Sequence, residues 1–328
     1  MYIANVISIV ISTSIIFLLV SVVTLVGFYR RIISKNSFLL LAFGTILTDL
    51  FLQGYLYQQL TSRKQAFAPP SFLETVTQNK KLSRMGTFTE PGFLMLEKST
   101  LQPNLNMLWN ISSINSVTPL PLVGHEHYYS AVLRNFQMMD IGNVSYVISQ
   151  KPLNNKQLAL VSKTDYSFVY KNTAAFPHEY FVSNYEIAHT NDEVFSLLLA
   201  NKDRFPSEVI LEKPISLPQG HTVSKSNFQI QKVILEEEKK VMQTVSKQDG
   251  ILVVLDSFYP SWEARTDDKK TEILRANGIF QAILVPQGTH TIVFSYVPRM
   301  FWYGLGISTF SFIVSTVLSI KRLNKSQK

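Results

Sequence analysis

Three stretches of this 328-residue chain are apolar and almost free of charge. Residues 1–29 carry no charged side chain, residues 37–57 carry only Asp49, and residues 301–320 again carry none. A helix of about 20 apolar residues crosses a bilayer. The pattern therefore predicts transmembrane helices at 1–29, 37–57 and 299–320, with a short loop at 30–36 and a tail at 321–328. Between the second and third spans, charges, prolines and turn residues are spread throughout, as in a water-soluble region. Residues 72–82 and 192–201 predict short amphipathic helices, the second with Asn191 as its N-cap. Residues 144–148 and 168–170 predict strands. Further on, residues 228–235 alternate and residues 250–255 form a buried apolar run. Strands at 271–274, 279–285 and 289–296 follow, separated by Asp267-Asp268-Lys269, Ala276-Asn277-Gly278 and Pro286-Gln287-Gly288. Short strands closely spaced by Gly, Asn and Pro predict an antiparallel sandwich. The expected fold class is thus three membrane helices plus an extracytoplasmic α+β region. That region divides into a mixed part at 58–214 and a β-sandwich at 215–298.

Charge refines this picture. The net charge of +8 suggests a nucleic-acid partner until the charges are located. Arg30, Arg31 and Lys35 lie between the first two spans, and Lys321, Arg322, Lys325 and Lys328 follow the third. These seven supply nearly all of the excess, so no nucleic-acid surface is expected. Basic residues in short loops mark the cytoplasmic side. The expected topology has the N-terminus and the large domain outside and the C-terminus in the cytoplasm of a multi-pass cell-membrane protein. A cleaved signal peptide would carry its positive charges ahead of the apolar run; here they follow it. Tyr55, Tyr57, Phe301, Trp302 and Tyr303 stand where interfacial aromatics are expected. Gly304 and Gly306 suit close helix approach. There is no cysteine, which excludes disulfides and thiolate metal sites.

Several strings together resemble a known family. These are Leu-Asp-Ser-Phe-Tyr-Pro-Ser-Trp at 255–262, Arg-Ala-Asn-Gly-Ile-Phe at 275–280, Val-Pro-Gln-Gly-Thr-His at 285–290 and Phe-Ser-Tyr-Val-Pro at 294–298. They are similar to the end of the YfhO-like bacterial membrane proteins, relatives of glycosyltransferases that use lipid-linked sugars. Asn-Leu-Asn-Met-Leu at 104–108, Val-Thr-Pro-Leu at 117–120, residues 138–149, Tyr-Lys-Asn at 170–172, Phe176-Pro177 and the Asp49-Leu-Phe near a span end fit the same family. Ser261 and His178 depart from its pattern, where glycine and arginine are usual. The resemblance implies a role in glycosylating a cell-envelope polysaccharide or teichoic acid. It also implies that the spans carrying the catalytic aspartate of such enzymes have no counterpart here. The chain is then expected to be inactive alone, as an accessory or glycan-binding unit. A subunit of a split glycosyltransferase and a structural envelope protein binding another protein are the alternatives.

The candidate site residues are Asp49, Asp256, Tyr259, Trp262 and Arg275. Asp49 is the lone ionisable group inside a span, where a carboxylate is costly. It either reaches the outer interface or a neighbouring helix, or serves lipid-phosphate or metal chemistry. Among the other four, the rings suit a sugar face and the charges its hydroxyls. Alternatively the aromatics fill the core while Asp256 pairs with Arg275. His125 and His127 would share one face of a strand, but a metal site needs a third ligand. No catalytic residue, metal or cofactor is assigned. Hydrolase and phosphate-loop motifs are missing, and the sequons at Asn110 and Asn143 are read as chance matches. Residues 236–240 read as a solvated strand edge or turn. The expected partners are membrane lipids, a lipid-linked sugar or cell-wall glycan, and another membrane protein or a second copy.

Overall fold

The computed structural model describes residues 2–57, 67–77, 83–88, 101, 103–115, 117–201, 205–217, 228–236 and 238–326. The chain forms two compact units, Met1–Ala68 and Pro69–Lys328.

The first unit is a helical hairpin, α1 (Tyr2–Tyr29) and α2 (Lys35–Tyr57). The apolar runs make both helices long enough to span a bilayer, and their side chains are largely exposed. Arg31 turns the chain with φ 58°. Ser34 then opens α2, its Oγ accepting from the Ser37 amide at 3.2 Å, a serine cap satisfying a free helix-end amide. Phe28 and Phe38 stack across the hairpin at 4.5 Å. Thr45 and Thr48 return their hydroxyls to carbonyls one turn back, so neither is left bare in an apolar setting. The side chains of Tyr55 and Tyr57, and those of the basic tail, lie outside the described residues.

The second unit is built in layers. In chain order its elements are α3 (Leu73–Thr77), β1 (Arg84–Phe88), β2 (Ser112–Ser113), α4 (Val123–Arg134), α5 (Met138–Ile141), β3 (Val144–Ser149), β4 (Leu158–Lys163), β5 (Phe168–Asn172), β6 (Glu179–Val182), β7 (Asn184–Ile187), α6 (Asn191–Ala200) and β8 (Glu208–Leu211). There follow β9 (Phe228–Leu235), β10 (Lys239–Ser246), β11 (Gly250–Ser257), β12 (Trp262–Thr266), β13 (Lys269–Thr271), β14 (Leu274–Ala276), β15 (Phe280–Val285), β16 (Gly288–Tyr296) and α7 (Arg299–Ser326). The strands form three sheets, ordered β2-β1-β3-β5-β4, β6-β11-β15-β14-β8-β7 and β13-β12-β16-β10-β9.

The last two sheets make the sandwich. Alternation along β11 explains how: Leu252 and Val254, with Ile283 of the neighbouring β15, face β10 and β16 across the gap, packing with Met242, Ile292 and Phe294. The intervening Ile251, Val253 and Leu255 face the other way, into a core shared with α4, α5 and α6. A continuous apolar run is what a strand buried on both faces requires. The third sheet is antiparallel throughout, whereas the second ends in a parallel pair, β7 with β8. The central sheet takes three strands from before residue 214 and three from after it, so the layers interleave the two segments.

Several local expectations are revised. The strand expected at 271–274 is two strands, since β13 belongs to one sheet and β14 to the other. The cap of α6 is Thr190, whose Oγ accepts from the Glu193 amide, with Glu193 reaching back to the His189 amide at 2.9 Å. At 236–240, Glu236, Glu238 and Lys239 are exposed at the turn between β9 and β10, as expected, but Lys240 is buried within β10. His125 and His127 lie on helix α4, where residues two apart diverge. Of the helix expected at 72–82, the described part is Leu73–Thr77.

Candidate functional site

The charged residues that matter most gather where the three sheets meet. On β10, Lys240 shares the inward face with Met242, Thr244 and Ser246, because side chains two apart on a strand point alike. Opposite it, Asp256 continues the inward line of Leu252 and Val254 to the end of β11. Lys240 Nζ pairs directly with Asp256 Oδ2. The other carboxylate oxygen of Asp256 meets His178 Nε2 at 3.3 Å and Arg84 Nη2 at 3.6 Å. His178 Nδ1 lies 2.8 Å from Glu179 Oε1, and Arg84 also donates to the Gly142 carbonyl at 3.2 Å. Arg84 comes from the first sheet, Asp256 from the second, with His178 just before its strand β6, and Lys240 from the third. One ionic cluster therefore ties all three layers.

Burial governs its electrostatics. Loss of water is the main force lowering the Arg84, His178 and Lys240 pKa values, and the Lys240 ammonium falls to about 8, with Arg84 adding to the effect. Glu179 opposes this for all three. The cluster matches the Asp256 and Glu179 carboxylates with Arg84 and with a Lys240 whose ammonium titrates at about 8, while burial holds His178 below the ordinary histidine range.

Aromatic rings stand beside the ions. Lys240 Nζ lies 5.2 Å from the Trp262 ring centre, a cation–π contact. Trp262 meets Tyr296 edge-on at 5.5 Å, and Tyr296 lies 6.4 Å from Tyr259. This ledge marks one end of the sandwich, the end from which the chain leaves for α7. Trp262 pairs with Tyr296 in register, the Val297 amide donates to the Ser261 carbonyl at 2.7 Å, and Arg299 pairs with Glu263. Ser261 adopts no positive φ, so the turn accepts serine where glycine is usual.

Of the sequence candidates, Asp256, Tyr259 and Trp262 come together here. Arg275 does not pair with Asp256: it bonds Glu212 at 3.1 Å and lies over the Phe258 ring at 4.9 Å. Its string has an architectural role. Asn277, fully buried, exchanges hydrogen bonds with the Ile210 backbone of β8. Gly278, at φ 79°, lies so near Phe195 that a Cβ would come within 3.1 Å of the ring. Asp49 lies partly buried on α2, in the first unit. Asn143 is buried and donates to the Phe176 carbonyl, which removes it as a glycan acceptor. Among the described residues no three His, Asp or Glu side chains converge as a metal site.

A separate groove of about 490 Å3 runs between α4 and α6, lined in part by Glu126, His127, Arg134 and Asp192. His127 Nδ1 lies 3.3 Å from Asp192 across it. Sequence reasoning missed Arg84 and Lys240. For Lys240 a signal existed, a lysine in phase with the apolar side of a strand; for Arg84 there was none.

No curated protein and no solved structure matches the chain. Residues 221–308 match the model of the family described as bacterial membrane protein YfhO. That stretch contains β9 to β16, the ledge and the start of α7, and over it the chain is similar to the YfhO bacterial membrane proteins.

Proposed function

We propose that the protein holds a lipid-linked sugar, or a glycan growing from one, at the outer membrane surface as an accessory unit of envelope glycosylation. The observation supporting this is the placement of Tyr259, Trp262 and Tyr296, backed by Lys240, at the sandwich end joined to α7. A lipid-linked sugar presents its phosphate at the headgroup layer and its sugar just above. Ring faces suit the apolar faces of sugars, and buried cations beside them suit the phosphate. The basic residues flanking the spans support a domain outside and a C-terminus in the cytoplasm. Because the chain has no cysteine, Asp268→Cys gives a clean check: labelling of intact cells by an impermeant maleimide is expected, and its absence would reverse the topology.

Added Cβ atoms at Gly44, Gly304 and Gly306 would meet nothing within 4 Å. These open helix faces support association with a further membrane chain or a second copy; a monodisperse monomer in mild detergent would contradict it. The function is tested with the full chain in nanodiscs, using native mass spectrometry with a polyprenyl-phosphate-linked sugar. Trp262→Ala is expected to weaken binding about tenfold, the equivalent of roughly 1.4 kcal/mol. Equal binding by both proteins, or none by either, would refute the site.

A further inference from the structure

We infer that the corner formed by Tyr259 and Pro260 is itself a membrane contact, lying in the headgroup layer beside α7. The chain reverses at this corner, between the end of β11 and the start of β12. It projects past Trp262 and Tyr296, the last register pair of the sheet on that side. The corner's height is fixed by a hydrogen bond: Ser261 holds the amide of Val297, and only Pro298 separates Val297 from Arg299, where the apolar helix begins. Glu263, two residues beyond, holds Arg299 itself. Tyr259 lies two residues before Ser261 and Arg299 two residues after Val297, so the corner and the helix start both leave from the same hydrogen-bonded pair. The polar layer of a bilayer is roughly 5–8 Å deep on each side, and it is where tyrosine and tryptophan rings favourably reside.

Tyr259 is 43% exposed, although Tyr296 covers one side of it. A single exposed aromatic is ordinary on a protein surface. What distinguishes this one is its covalent and hydrogen-bonded attachment to the start of a span, where Met300, Phe301 and Trp302 on the first turn of α7 are exposed as well. The rigid corner then acts as a second foot, standing the sandwich on the bilayer and holding the Trp262 ledge at the level of lipid headgroups. The contact is with lipid and depends on the membrane anchor, not on sugar binding.

The test uses the full chain, which lacks cysteine, reconstituted in phosphatidylglycerol–phosphatidylethanolamine vesicles without glycolipid. Tyr259→Cys and Pro260→Cys each carry an environment-sensitive fluorophore, and Asp268→Cys, in the turn at the opposite end of β12, serves as reference. Thermal unfolding in detergent checks that each labelled protein is folded. Lipids brominated near the headgroup are expected to quench the labels at 259 and 260 roughly twofold more than the label at 268, with blue-shifted emission. Equal quenching at the three positions would overturn the inference, as would quenching that appears only after glycolipid is added. Failure of the unsubstituted chain to bind glycolipid, with quenching of the labels intact, would count against the proposed function alone.

Discussion

At the residue scale, Asp256 is the hinge of the electrostatics. Its two oxygens serve Lys240 on one side and His178 with Arg84 on the other. Removing a single partner from a partly buried ionic cluster leaves uncompensated charge, which typically costs about 3–5 kcal/mol. Asp256→Asn is therefore expected to lower the unfolding temperature of the full chain in detergent markedly, whereas Lys269→Gln, on the exposed β13, is expected to change it little. His178 supplies a pH dependence. Burial lowers its pKa in the folded protein despite Glu179, so the unfolded chain binds the extra proton first. Stability is then expected to fall as pH drops through the ordinary histidine range near 6.5. His178→Gln should flatten that part of the profile measured between pH 7.5 and 5; an unchanged slope would assign it to another group. Asp256 and Trp262 could be singled out from their string. Arg84 and His178 could not be connected to them, because the contacts join residues far apart in sequence through sheet pairing.

At the scale of elements, most of the later strands were legible because each is a short apolar run closed by a turn. β10 and β12 were not. The first begins with charged residues, and the second has only Trp262 and Ala264 as apolar positions among Glu263, Arg265 and Thr266, so neither shows a clear apolar run. The central sheet was also hidden, since β6, β7 and β8 join strands that follow much later. The turn at Ala276-Asn277-Gly278 explains how that joining is fixed. Asn277 binds β8 by its backbone and side chain, while α4 presses its Gly124 against the Gly278 carbonyl. Gly278→Ala forces a side chain into a left-handed backbone beside Phe195. It is expected to destabilise the protein by about 1–3 kcal/mol, read as a shifted midpoint in chemical unfolding; Gln287→Ala, in an exposed turn, is expected to shift it far less.

At the scale of the whole molecule, three helices long and apolar enough to span a membrane accompany a layered domain. The spans were the plainest feature of the sequence, because twenty apolar residues in a row admit few other readings. The site was harder, since a binding ledge is made by what the strands bring together. Short connections now place one end of the sandwich beside the start of α7, and the family match covers that same segment. The most direct measurement is photolabelling of the full chain in nanodiscs with a diazirine-bearing polyprenyl-phosphate sugar, followed by peptide mapping. The account predicts adducts on residues 256–262 and around Tyr296, competed away by unlabelled glycolipid. Adducts confined to the groove between α4 and α6, or no competed labelling of the ledge, would contradict it.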